Sequence, residues 1–124
     1  TLKIEVLNHL AAGTDVVMDI DVQGADQVRG CDDASIQAAL VDLFVMPQTE
    51  GELLKRLTGR GSDAQEVIEL RMKNALGEIG NWPKYTYRLL SDTREQDYHQ
   101  FKSLMLAERL KVSRLKNLQP PLDS

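Results

Sequence analysis

Apolar and polar positions alternate along the chain with two periods, which predict short strands and amphipathic helices. Three short apolar runs with β-branched or aromatic residues predict strands at 15–21, 41–47 and 85–90. Apolar residues three or four apart predict helices over five further segments: 2–12, 24–30, 50–59, 64–80 and 94–117. Strands separated by helices are typical of a parallel sheet with crossover helices, so the predicted fold class is α/β.

Length and composition restrict the class of protein. The chain has 124 residues, of which 42% are hydrophobic and 27% charged, as in an ordinary globular domain. No apolar run approaches the ~18–20 residues that a membrane-spanning helix needs. The single cysteine, Cys31, excludes an internal disulfide framework, and two histidines with one cysteine exclude a Cys2His2 zinc finger. We therefore expect a cytoplasmic protein with no membrane partner.

Charge is divided unevenly along the chain. Residues 1–50 carry nine acidic and two basic side chains, whereas residues 51–124 carry ten acidic and thirteen basic ones. The net charge of −4 argues against a nucleic-acid partner. The basic side chains of the last predicted helix are interpreted as its solvent-exposed face, not as a nucleic-acid-binding surface. Chemistry on an anionic ligand is therefore expected in the second part of the chain.

Two acids close the first predicted strand. Asp19 and Asp21 stand two positions apart, so strand alternation would place both carboxylates on one side, about 7 Å apart. Open parallel sheets bind ligands at the carboxyl ends of their strands. Two carboxylates there could hold a hydrated magnesium ion and a second polar ligand. A solvated strand end that runs into a turn is the alternative interpretation.

Arginines supply the candidate anion-binding groups. Arg56 and Arg60 are four apart and would share a helix face if the helix runs that far, and glycines flank Arg60 on both sides. Guanidinium groups suit phosphate oxygens, although an exposed basic helix with a glycine cap has the same pattern. Arg71 lies at the edge of the apolar arc of its helix, where a charge needs a partner or a cleft. Its long stem could also carry the charge out to solvent.

Three stretches of the chain resemble the guanylate kinase family, particularly its bacterial members. They are GTDVVMDIDVQGADQVR (13–29), LFVMPQTEGELLKRLTGRGSDAQEVIELRM (43–72) and LMLAERLKVSRLK (104–116). The resemblance implies a nucleoside monophosphate kinase that converts GMP to GDP, with ATP as phosphoryl donor and Mg²⁺ as cofactor. GMP and ATP would then be its small-molecule partners.

The resemblance also implies an incomplete P-loop kinase fold, with flanking helices on a parallel sheet that lacks its central P-loop strand. No G-x-x-x-x-G-K-[ST] phosphate loop occurs in the sequence, and Thr1 already stands at a helical pattern. We therefore expect a carboxy-terminal portion of such a kinase, without most of the GMP-binding segment. The expected organisation is one partial domain over 1–124, with a lid at about 48–64 and a carboxy-terminal helix at about 94–117.

Residue roles follow from the same resemblance. Asp19 matches the acid that orients magnesium through water, and Asp21 matches the acid that faces the guanine of GMP. Ser91 stands where the family has an asparagine near adenine, because the family's N-D-D reads Ser91-Asp92-Thr93 here.

The arginines receive catalytic roles by the resemblance. Arg56 and Arg60 match lid arginines that fold over the ATP phosphates, and Arg71 matches the arginine that reaches the transferred phosphoryl group. Phosphoryl transfer depends mainly on positioning and on neutralising oxygen charge, which these groups can do.

The missing P-loop strand has physical consequences. In the family architecture it lies between the strands that correspond to 15–21 and 41–47, so both would have unpaired edges. Such edges favour self-association or a rearranged sheet. We expect the 124-residue chain to be inactive alone as a guanylate kinase. The alternative is a guanylate-kinase-like interaction module without catalysis, and the presence of Arg56, Arg60 and Arg71 favours the enzyme.

Overall fold

A computed structural model describes residues 2–58 and 64–115. Two strands and six α-helices are assigned in these ranges, with 3₁₀ turns at Trp82–Lys84 and Val112–Arg114. In chain order the elements are α1 (Leu2–Ala11), α2 (Val22–Arg29), α3 (Ala34–Ala39), β1 (Leu43–Pro47), α4 (Glu50–Thr58), α5 (Gln65–Ile79), β2 (Tyr87–Ser91) and α6 (Arg94–Arg109).

The two strands form a parallel sheet. Leu43 pairs with Tyr87 at one end of the register, and Pro47 pairs with Ser91 at the other. Parallel strands need a crossover connection, and α4 and α5 lie in that connection and pack against each other. The second and third predicted strands, the parallel pairing and the α/β class are therefore confirmed.

The first predicted strand is wrong for the part of the chain that the structure describes. Residues 14–21 have no regular secondary structure, and the sheet contains β1 and β2 alone. An apolar β-branched run becomes a strand only when a neighbour pairs with its backbone groups. Since no strand borders this segment within 2–58 and 64–115, the alternation argument for Asp19 and Asp21 loses its basis.

The helices agree with the predicted periodicity, with two exceptions. The six-residue α3 was not predicted, although Asp33 caps it by accepting hydrogen bonds from the backbone N–H groups of Ser35 and Ile36. The last helix ends at Arg109 instead of near 117, because Arg114 turns back to donate to Glu108 at 3.0 Å. Residues six apart point away from each other on a continuous helix, so this pair requires the helix to stop.

An ion-pair cluster joins α2 to the beginning of the sheet. Arg29 donates to Asp26 and to Asp42, each at 2.7 Å, and its guanidinium lies 4.5 Å from the centre of the Tyr85 ring. Burial raises the pKa of Asp42, but hydrogen bonds from Thr86 and from Arg29 outweigh it and leave that pKa lowered. Asp42 therefore stays ionised and anchors the entry to both strands.

The apolar core is small in the described residues. Its buried apolar members are Ala25, Ile36, Leu53 and Leu89. Val45 lies opposite Leu89 in the register, yet Val45 is 55% exposed and Leu89 only 5%. The difference arises because α6 packs against β2. Over the same ranges, no helix is both long enough and apolar enough to cross a membrane.

Candidate functional site

Polar side chains gather where β1 and β2 end next to each other. The chain leaves β1 through Gln48 and leaves β2 through Asp92, and α4 and α6 begin close behind them. We call the group formed by Gln48, Arg56, Ser91, Asp92 and Asp97 the strand-end cluster. It lies at the carboxyl ends of parallel strands, which is the edge where such sheets bind ligands.

Ser91 is the centre of the strand-end cluster and is buried, with 7% of its surface exposed. Its Oγ accepts a hydrogen bond from Arg56 Nη2 at 3.2 Å and donates one to Asp97 Oδ2 at 2.7 Å. Its carbonyl oxygen accepts from Gln48 Nε2 at 3.3 Å. A hydroxyl has one proton, and here the proton goes to Asp97 while the lone pairs face Arg56.

Asp97 connects the cluster to the first turn of α6. Its Oδ1 accepts a hydrogen bond from the backbone N–H of Asp92 at 2.8 Å, and Thr93 caps the helix by accepting from the N–H of Gln96. Hydrogen bonds from the Asp92 N–H and the Ser91 hydroxyl lower the pKa of Asp97, and the charge of Arg56 adds to the effect. The carboxylate is therefore ionised at neutral pH.

An open cleft of about 390 Å³ adjoins this cluster. Glu52, Lys55, Arg56 and Asp92 line it. Two cations from the last turn of α4 stand beside two acids there, so an anionic group would bind at the Lys55 and Arg56 side. Charge-assisted hydrogen bonds from a guanidinium to phosphate oxygens are about twice as strong as neutral ones. The cleft is thus suited to an anion that meets Arg56.

Two of the residues predicted to bind ATP, Arg56 and Ser91, are brought into direct contact. Arg60, the second predicted lid arginine, lies outside the described residues, as do residues 59–63 of the predicted lid. Arg71 lies on α5, the helix that packs against α4.

Asp21 has a structural role that the sequence pattern did not indicate. Its Oδ1 accepts the backbone N–H of Gly24 at 2.8 Å and caps α2. A Cβ on Gly24 would lie 3.2 Å from that same oxygen and 3.2 Å from the Cβ of Ile20. Glycine therefore allows the chain to turn closely around Asp21, whose other carboxylate oxygen is available to a ligand.

The acids of this segment fit magnesium only in its hydrated form. Asp19 is exposed, and no group of three or more histidine, cysteine or acidic side chains converges as a metal site in the described ranges. Mg²⁺ commonly keeps several waters and is held by one or two carboxylates together with substrate phosphates. A carboxylate that binds through water, as expected for Asp19, meets that requirement.

Comparison with known proteins decides the family. The family model described as guanylate kinase matches residues 1–108 of this chain. The chain belongs to the guanylate kinase family. Among curated guanylate kinases, the protein from Brucella melitensis is 42% identical over 114 residues, which cover 92% of this chain and 50% of the relative.

Two further guanylate kinases match over nearly the whole chain. The Bartonella henselae protein is 36% identical over 97% of this chain and 52% of its own length. The Yersinia pestis protein is 36% identical over 100% of this chain and 58% of its own length. The chain therefore spans about half the length of the guanylate kinases that it matches.

The structure contains a second polar cluster, around Glu108, that the sequence did not predict. Glu108, on α6, is buried and accepts a hydrogen bond from the Tyr87 hydroxyl. Arg114 and Lys111 complete its surroundings at 3.0 and 3.5 Å. The hydrogen bond from Tyr87, together with those two cations, lowers the pKa of Glu108 despite its burial. The available signal was the isolation of Glu108 as the one acid between the basic residues Lys102 and Lys116 of the predicted last helix.

Proposed function

We propose that this chain belongs to an ATP-dependent GMP kinase and supplies its lid arginines and its magnesium-side and guanine-side acids. The observation that carries the proposal is the contact between Arg56 and Ser91 beside the cleft. The family resemblance assigns both residues to ATP, although 35 positions separate them in the chain. Their meeting at a strand end supports a shared nucleotide site.

The proposed chemistry follows from the residue types. Arg56, Arg60 and Arg71 would donate to phosphate oxygens and neutralise charge as the phosphoryl group transfers from ATP to GMP. Asp21 would accept hydrogen bonds from guanine N–H groups through the oxygen that does not cap α2. Asp19 would hold hydrated Mg²⁺, which supplies further neutralisation of the ATP phosphates when bound.

Catalysis by the 124 residues alone is not part of the proposal. The sequence has no phosphate-cradling loop, and the matching guanylate kinases are about twice as long. We propose that the chain is inactive as an isolated polypeptide. GMP-dependent formation of ADP by the purified chain, above the rate of a boiled sample, would contradict this.

A chimeric enzyme tests the function directly. This chain would replace the 114 matched residues of the Brucella melitensis guanylate kinase, and ADP formation would be followed with and without GMP. We expect GMP-dependent activity, and we expect Arg56→Ala to reduce it in the same background. A chimera that folds and binds nucleotide but transfers no phosphate would favour the interaction module instead.

A further inference from the structure

We propose that Asp97 is a positioning residue for Arg56 and acts on it through the hydroxyl of Ser91. Nothing in the sequence pattern or in the family resemblance assigned a role to Asp97. The geometry of the strand-end cluster carries the inference, whereas its importance for the phosphoryl donor rests on the function proposed above.

The three groups form a chain of hydrogen bonds with one direction. Arg56 Nη2 donates to Ser91 Oγ at 3.2 Å, and Ser91 Oγ donates to Asp97 Oδ2 at 2.7 Å. Hydrogen bonds that follow one another in this way polarise and strengthen each other. The carboxylate increases the negative charge on Oγ, which makes the hydroxyl a better acceptor for the guanidinium.

Asp97 is itself held in place from two sides. Its other oxygen accepts the backbone N–H of Asp92 at 2.8 Å, and its own backbone N–H donates to the carbonyl of Thr93 as part of α6. Ser91 is buried and fixed by the β1–β2 pairing. Arg56, by contrast, is exposed at the mouth of the cleft. The groups held within the sheet and α6 therefore set the orientation of the exposed Arg56 side chain.

Asparagine at position 97 would reverse this arrangement. Its amide oxygen would keep the hydrogen bond from Asp92, and its NH₂ group would then donate to Ser91 Oγ. The serine proton would lose the carboxylate that now accepts it, and a second donor would take the other lone pair of Oγ. Arg56 would lose its preferred acceptor geometry although the shape of residue 97 is unchanged.

The first test measures Arg56 without any ligand. In the ¹⁵N-labelled 124-residue chain, the Nε–Hε signal of Arg56 is assigned by its loss in Arg56→Lys, and its heteronuclear NOE reports fast side-chain motion. We expect the NOE to fall in Asp97→Asn and in Ser91→Ala and to stay unchanged in Glu95→Gln. Glu95 is the matched control, since it is an acid in the same first turn of α6 and lies outside the cluster.

An unchanged Arg56 NOE in folded Asp97→Asn would overturn the inference, whether or not the NOE falls in Ser91→Ala. Ser91→Ala guards against a folding defect, because it leaves the hydrogen bond between Asp97 and the Asp92 N–H in place. Circular dichroism melts of each variant identify any that do not fold.

The second test measures ATP binding by the chimeric kinase that carries each substitution. We expect Asp97→Asn to weaken ATP binding by about threefold to tenfold, the range for loss of one hydrogen bond, relative to Glu95→Gln. In an Arg56→Ala background the same substitution is expected to change nothing, since the effect passes through Arg56. An equal loss in both backgrounds would contradict the positioning role.

The two tests separate the inference from the function on which it bears. A fall in the Arg56 NOE, with ATP binding by the chimera unchanged in Arg56→Ala, would uphold Asp97 as a positioning residue and count against the nucleotide role of Arg56. An ATP response that depends on Arg56 but not on Asp97 or Ser91 would uphold the nucleotide site and overturn the inference.

Discussion

Arg56 donates a hydrogen bond to the Ser91 hydroxyl at 3.2 Å and thereby joins α4 to the end of β2. The contact connects the segment expected to form the lid with the edge of the sheet. It places a guanidinium at a cleft whose other cation, Lys55, comes from the same helix. An anion that enters the cleft can therefore meet a side chain already oriented by the sheet.

The first prediction concerns Arg56 in the chimeric kinase. Arg56→Ala should lower kcat/KM for ATP by roughly tenfold or more, the value of a hydrogen bond to a charged group. Arg56→Lys should recover only part of the loss, because an ammonium group lacks the planar fork of donors. Steady-state kinetics at saturating GMP measure both effects.

The control for Arg56→Ala removes another arginine, one that lies on the sheet. Arg88, on β2, stacks on the Trp82 ring with its guanidinium carbon 4.4 Å from the ring centre. Arg88→Ala should leave kcat/KM for ATP nearly unchanged. Equal losses in Arg56→Ala and Arg88→Ala would mean that only net charge matters at this edge.

The second prediction separates the two roles of Asp21. Asparagine caps helices about as well as aspartate, so Asp21→Asn should keep the stability while raising KM for GMP in the chimera. Asp21→Ala should raise KM as well and also cost about 1 kcal/mol of unfolding free energy, because the Gly24 N–H loses its acceptor. Kinetics and urea unfolding measure the two effects independently.

Asp33 provides the matched pair for Asp21, since it caps α3 in the same manner. Asp33→Ala should cost a similar free energy, and neither Asp33→Asn nor Asp33→Ala should change KM for GMP. A rise in KM for GMP in Asp33→Asn would show that removing any acid in this part of the chain weakens GMP binding, and would contradict a specific role for Asp21.

The sequence predicted those parts of the fold that depend on local periodicity. The spacing of apolar residues located α4, α5 and both strands of the sheet within a few positions. The failure at 15–21 has a different origin, since pairing with a second backbone decides whether an apolar run becomes a strand. The short α3 was missed because six residues are too few for a helical period to become visible.

The candidate site also has parts that the sequence predicted and parts that only tertiary packing creates. Arg56 and Ser91 could be named from motifs, but their contact depends on how α4 and β2 meet. Asp97 carried no signal, because Glu95 and Asp97 are both acids in the first turn of a helix and only one of them reaches Ser91. Glu108 likewise gains its partners only when α6 packs on β2.

The third prediction is a pH dependence at Glu108. The hydrogen bond from Tyr87 and the nearby cations lower its pKa below the ordinary value of 4.5, against the opposing effect of burial. A lowered folded-state pKa contributes stability that is present above the unfolded value and is lost as the pH falls through the folded value. Glu108→Gln should therefore unfold at lower urea than the parent chain at neutral pH, and the difference should shrink below pH 4.5.

Two further variants check the Glu108 interpretation. Tyr87→Phe removes one donor and leaves Arg114 and Lys111, so it should destabilise less than Glu108→Gln. Glu95→Gln on the same helix should show no such pH-dependent difference. A gap between Glu108→Gln and the parent chain that stays constant down to acid pH would show that packing, not charge, carries the effect.

The last prediction concerns association of the chain with itself. β1 has β2 on one side and no strand on the other among the described residues, and Val45 in its middle is 55% exposed. An unpaired strand edge with an apolar residue is a template for another chain, and lysine on an edge strand opposes such pairing. We expect the parent chain to form dimers or larger species in sedimentation velocity experiments and Val45→Lys to shift it toward monomer.

Leu70→Lys is the control, because Leu70 is 58% exposed and belongs to α5, not to a strand. Equal shifts in both variants would mean that exposed apolar surface in general drives association, while a strictly monomeric parent chain would contradict the prediction.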